Sequence, residues 1–331
     1  MPAAITQTIL TARPPPTNVL NISCPGPHLE DGKQYVYTIT GGFSDTLTFV
    51  AVLNFLFCVP TVFFNGAILV GYMKSRDLRG PATRLLFSIC LADFLVGLLC
   101  EPIMGAQILS ISKSTHECGL SNFMVYVIPV LIVVTMVTHA LISLERYTAM
   151  HYPAKYAQYF CKRNLSVAMI IIWTVCPATY IAPLLAGDPV MGTKFAVGFI
   201  LISMLISLLA YINMYRDFKW QDGRPKAEIK GAYIVAHTIR KERSLEELTQ
   251  FRNDAKIGAF YFKIYLCMLA FYLLNLIKNV INSWDALSGN AHYLFHYFLD
   301  TLLFLNALVN PILVLGLSSE VKMGVSAAFR L

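Results

Sequence analysis

Seven long apolar blocks, parted by short polar stretches, constrain this chain more than any other feature. They run over about 46–73, 81–109, 120–145, 165–186, 194–215, 257–282 and 292–317. Each reaches the ~20 residues that a helix needs to cross a bilayer. With 56% hydrophobic and 14% charged residues, the chain falls well below the roughly one quarter charged of a soluble domain. Prolines interrupt several blocks (Pro60, Pro102, Pro129, Pro177, Pro183 and Pro311). Buried neighbours in a packed bundle can satisfy the carbonyls that such prolines free. No internal repeat of roughly 33–50 residues is present, which argues against a solenoid. The expected architecture is an all-α membrane protein, a seven-transmembrane-helix bundle over 46–317. It is flanked by an extracellular tail (1–45) and a short cytoplasmic tail (318–331), with a third cytoplasmic loop at about 216–256.

Basic residues set the orientation. With the N-terminus outside, the cytoplasmic side carries twenty Lys and Arg, ten of them between Arg216 and Lys256. The outside carries only Arg13, Lys33, Lys113 and Lys194, with Lys278 at the boundary. Such a bias places the C-terminus in the cytosol. It also accounts for the net charge of +7 without nucleic acid as a partner. The first 45 residues hold no apolar run with a basic start, so no cleavable signal is expected, and they read as a loose tail. Asn21-Ile22-Ser23 is a glycosylation sequon on the outer side. Asn164-Leu165-Ser166 fits the same pattern but faces the cytosol.

Polar residues inside apolar spans are costly and therefore informative. Asn65 lies in the first block, Asp93 in the second and Trp173 in the fourth. Leu144-Glu145-Arg146-Tyr147 ends the third, and the seventh reads Leu305-Asn306-Ala307-Leu308-Val309-Asn310-Pro311. In this order and spacing, the chain resembles the rhodopsin-like (class A) G-protein-coupled receptors over about residues 46–325. Glu145-Arg146-Tyr147 is similar to the family's Asp/Glu-Arg-Tyr motif, and Asn310-Pro311 to the start of its Asn-Pro-x-x-Tyr motif. The resemblance implies a multi-pass plasma-membrane receptor that binds an extracellular ligand and activates a heterotrimeric G protein. It further implies that Arg146 is held by Glu145 at rest and released when helix six moves outward. Tyr211 falls where the family carries a helix-five tyrosine. The family's sodium site maps onto Asp93, Thr135, Asn306 and Asn310, so an allosteric sodium ion is the one cofactor expected.

The chain also departs from the family. Cys267-Met268-Leu269-Ala270 stands where Cys-Trp-x-Pro is usual, Val314 replaces the tyrosine of Asn-Pro-x-x-Tyr, and helix five lacks its proline. The second extracellular loop, about Ala186–Thr193, has no cysteine for the family's bridge to helix three. Cys118 is instead expected to pair with Cys24, with Cys100 as competitor. Ile128 replaces the aspartate of amine receptors. Glu101 and Asp300, acids in the outer halves of helices two and seven, are the ligand-binding candidates, open to a cationic ligand. Alternatively they bind each other, His292, His296 or water. His139, seven residues before Arg146, and Lys263 are expected to bring two polar groups into one otherwise apolar layer.

No Schiff-base lysine lies in the seventh block, and no Gly-rich phosphate loop, Ser-His-Asp set or HExxH occurs, so an enzyme is not expected. The alternative from another class is a multi-helix transporter or channel, which more often shows repeats and paired broken helices.

Overall fold

A computed structural model describes residues 18–22, 35–75, 80–115, 117–222, 256–275, 277 and 289–329. Among the described residues, seven helices are long and apolar enough to cross a membrane. The first span is Gly41–Lys74. The second runs through Pro81–Leu95, a π-helical turn Val96–Cys100 and Glu101–Ser112. The third is Cys118–His151, the fourth Lys162–Leu185 and the fifth Pro189–Asp222. The sixth is described over Lys256–Asn275, and the seventh is Gly289–Leu317. The bundle is the all-α architecture expected. Most of the third cytoplasmic loop lies outside the described residues.

Two expectations at the ends change. The N-terminal tail carries an antiparallel strand pair, Asn18–Ile22 with Tyr35–Ile39, in the register Asn18 opposite Ile39. The first helix starts at Gly41, ahead of the apolar block, with Thr40 as N-cap accepting from the Phe43 amide at 3.4 Å. At the other end, the short tail is helical over Ser319–Phe329. It lies along the first span, where Lys74 Nζ donates to the Ala328 carbonyl at 3.1 Å.

The connection between spans four and five is tighter than the sequence suggests. Only Ala186, Gly187 and Asp188 separate the two helices. Gly187 takes φ +82°, a left-handed conformation that an L side chain resists, and so ends the fourth span as helix-terminal glycines do. The Asp188 carboxylate accepts from the Met191 amide at 2.9 Å and caps the fifth.

Two proline-freed carbonyls find donors on neighbouring spans. Proline removes the amide that would pair with the carbonyl four residues earlier. Pro129 thus frees Val125, whose carbonyl accepts from Tyr180 Oη in the fourth span at 3.0 Å. Pro311 frees Ala307, whose carbonyl accepts from Asn65 Nδ2 in the first span at 2.9 Å. These bonds tie three-to-four and one-to-seven at defined depths. Apolar packing fills the space between: Leu85, Met136, Ile142, Tyr265, Met268 and Val314 are all buried in one cluster. Phe43, Leu47, Met104, Ile108 and Phe304 pack in a second, between spans one, two and seven.

Candidate functional site

At the end of the third span, Arg146 and Glu145 form an ion pair. Their exposures are 5% and 0%, so this is a buried pair whose charges rely on each other and on hydrogen bonds. The third member comes from the following loop. His151 ends the span, Tyr152 bridges, and a helix of about two turns, Pro153–Tyr159, starts with proline in its first turn. That helix turns Tyr156 back towards the bundle. Tyr156 Oη donates to Glu145 Oε1 at 2.6 Å and accepts from Arg146 Nη2 at 3.3 Å. Tyr156 is silent in the sequence, because nothing in a loop tyrosine marks which helix end it folds against. Tyr147, the last residue of the motif, stacks on His151 at 4.2 Å between ring centroids.

Tyr211 is buried in the fifth span, its ring 5.3 Å from Tyr265 and 5.0 Å from Phe262 of the sixth. Tyr265 Oη donates to the Met204 carbonyl at 3.0 Å, linking spans five and six without the family's helix-five proline. His139 is 2% exposed, and its Nε2 has no hydrogen-bond partner among the described residues. Lys263 is exposed, which corrects the expectation of two polar groups in one layer. Its long side chain lies on the outside of the bundle, and only His139 is interior.

Deeper in, the predicted polar cluster assembles. Asn310 Nδ2 donates to Asp93 Oδ2 at 3.0 Å. Asp93, Thr135 and Asn306 line one cavity together with Ile128, Tyr272 and Phe304. Oδ1 of Asn306 and Oδ1 of Asn310 are buried without a partner among the described residues. The cluster therefore presents a carboxylate and two amide oxygens with acceptor capacity to spare, a donor set that suits a hard cation. Beside it, Trp173 Nε1 donates to Ser88 Oγ at 2.9 Å, which fixes the fourth span on the second. Among the described residues no group of three or more His, Cys, Asp and Glu could hold a metal ion.

The two ligand candidates separate. Asp300 takes His296 Nδ1 at 2.9 Å and Asn275 Nδ2 at 3.3 Å, joining spans six and seven near their outer ends. Glu101 is 0% exposed and turns to the first span, where Thr61 Oγ1 donates to it at 3.1 Å. It does not line the cavity. Cys118 is disulfide-bonded, whereas Cys58, Cys90, Cys100, Cys161, Cys176 and Cys267 are free, which removes Cys100 as competitor. Cys24 lies outside the described residues, as does the side chain of Asn21, whose backbone sits in the first strand.

The family described as "7 transmembrane receptor (rhodopsin family)" matches residues 64–193. The chain is 26% identical over 202 residues to an alpha-2B adrenergic receptor of Macroscelides proboscideus, covering 55% of this chain and 51% of that one. It is 28% identical over 167 residues to dopamine receptor 3 of Caenorhabditis elegans, covering 48% and 26%. With the 5-hydroxytryptamine receptor 2B of Dichotomyctere fluviatilis it shares 27% over 130 residues, covering 39% and 27%. The chain thus spans about half or less of the length of these curated relatives. Seven helices long and apolar enough to cross a membrane make the chain a multi-pass membrane protein, and these matches make it similar to the rhodopsin family of seven-transmembrane receptors.

Proposed function

We propose that the chain is a plasma-membrane receptor that converts binding of an extracellular ligand into activation of a heterotrimeric G protein. The observation that carries this reading is the buried Glu145–Arg146 pair closed by Tyr156. A buried ion pair with a hydroxyl clamp is a two-state element. Closed, its charges satisfy each other; opened, the guanidinium becomes a donor for a cytoplasmic partner. Tyr211 and Tyr265 stand at the same end of the bundle, where the fifth and sixth spans would separate. Asn310 and Pro311 link this end to the Asp93 cavity through the seventh span.

Asp93, Thr135, Asn306 and Asn310 are proposed to hold a sodium ion. When bound, it would neutralise the buried carboxylate and favour the closed bundle by binding that state more tightly. The relatives are named for adrenergic, dopamine and serotonin recognition, but this chain has Ile128 on its cavity wall, with no charge for an ammonium there. A cationic ligand would instead meet Asp300, which His296 and Asn275 hold in place. Outside, Cys118 is proposed to pair with Cys24 and so tether the N-terminal tail. Asn21 is the proposed glycosylation site.

The test is guanine-nucleotide exchange on added heterotrimers by membranes carrying the chain. Wild type should accelerate exchange above empty membranes and Arg146→Ala should not, at equal surface expression. Equal exchange by both would reject Arg146 as the coupling residue, and no exchange across the G-protein families would reject the coupling itself.

A further inference from the structure

Glu101 is a carboxylate in the membrane interior that the proposed function leaves without a role. Its Oε1 accepts from Thr61, and its Oε2 is buried with no hydrogen-bond partner among the described residues. Its placement is built by the backbone. The π-helical turn Val96–Cys100 directly precedes it and changes the helical phase of the outer half of the span, and such single π-turns concentrate at functional positions. Gly97, in the same turn, lets the first span close in: a Cβ there would stand 2.7 Å from Thr61 Cγ2. The same close approach puts the Thr61 hydroxyl on the carboxylate.

The groups around Glu101 are few. Cys58 on the first span, and Cys100 and Asp93 on its own, are its titratable electrostatic neighbours. Across the cavity the third span offers Thr135 and Ile128 and the sixth Tyr272, while the seventh offers Asn306. The Asp300–His296 pair lies farther out and has a half-exposed imidazole. No cation pairs with Glu101 among the described residues. Cys100, the adjacent residue, lines the Asp93 cavity.

We propose that Glu101 is a proton-binding site that tunes the affinity of the Asp93 cavity for a monovalent cation. This inference rests on the cation reading of that cavity. Protonated at Oε2, Glu101 leaves the region with the single negative charge of Asp93. When it releases the proton to water, it adds a second. An uncompensated carboxylate in this setting is costly, so cation binding and proton release favour each other, and by linkage the effect is reciprocal. Eight residues of helix place Asp93 and Glu101 about 12 Å apart along the axis. At an effective permittivity of about 20, one unit charge at that distance changes cation affinity on the order of tenfold.

The experiment is a sodium titration of the purified full chain in lipid nanodiscs, at constant ionic strength, read by thermal inactivation at about pH 6 and about pH 9. Wild type should bind sodium on the order of tenfold more tightly at the higher pH. Glu101→Gln should lose the part of that pH dependence which the second charge supplies and keep only the part due to protonation of Asp93 itself. Thr61→Val, which removes the hydroxyl from Oε1 and leaves the carboxyl in place, should shift the pH dependence without abolishing it. A wild-type pH profile in Glu101→Gln, or in Thr61→Val if Glu101→Gln does not fold, overturns the role of Glu101 alone. A wild type without any sodium response, or an Asp93→Asn variant that keeps it, overturns the cavity reading and this inference with it.

Discussion

Tyr156 Oη donates to Glu145 Oε1 at 2.6 Å across eleven residues of chain, from the second cytoplasmic loop to the end of the third span. The bond makes a short loop helix part of the lock on Arg146. Hydrogen bonds to a charged group contribute about 1.5–3 kcal/mol. Tyr156→Phe is therefore expected to raise ligand-free nucleotide exchange several-fold, roughly in proportion to the shifted population. Exchange at the wild-type level, at matched surface expression, would remove Tyr156 from the lock.

Asn65 meets two buried carbonyls at once, those of Thr61 and Ala307. Only the second is orphaned by proline. Asn65→Leu should lower thermal stability in detergent by about 1–3 kcal/mol, the cost of leaving a buried acceptor unpaired. An unchanged melting temperature would show that water replaces the amide.

Tyr180 and Pro129 allow the same idea to be tested as a cycle. Tyr180→Phe should destabilise by about 1–2 kcal/mol by orphaning the Val125 carbonyl. In a Pro129→Ala background the restored helical amide satisfies that carbonyl, so the same substitution should cost less than half as much. Equal costs in both backgrounds would indicate that Tyr180 stabilises by packing alone.

His139 is buried with Nε2 unpaired, and an unpaired buried polar atom costs about 1–3 kcal/mol. His139→Leu should therefore raise thermal stability and lower ligand-free signalling. Lys263→Leu should change neither, since that side chain lies outside the bundle. A fall in signalling with Lys263→Leu alone would return that lysine to the interior.

The sequence revealed the bundle because apolar blocks of membrane length have few other solutions. It revealed Asp93, Arg146 and Asn310 because charged and amide groups are rare in such blocks. What it hid depends on phase and partners. The π-turn at Val96–Cys100 has no composition of its own, yet it directly precedes Glu101 and changes the helical phase there, where Glu101 meets Thr61. Lys263 was misplaced because its depth could be counted but its face could not. Tyr156 and Tyr180 are ordinary tyrosines until a neighbouring helix brings them a carboxylate or a proline-freed carbonyl. The strand pair Asn18–Ile22 with Tyr35–Ile39 is hidden because five-residue segments carry little periodic signal.

The central claim is that the Arg146 lock opens as the sixth span moves away from the bundle. Spin labels at Lys256 and Arg163, exposed at the cytoplasmic ends of the sixth and fourth spans, report that movement directly in a background without reactive cysteines. Addition of nucleotide-free heterotrimer should lengthen the distance between them, and guanine nucleotide should reverse the change. A distance that stays the same while the heterotrimer binds would contradict the account.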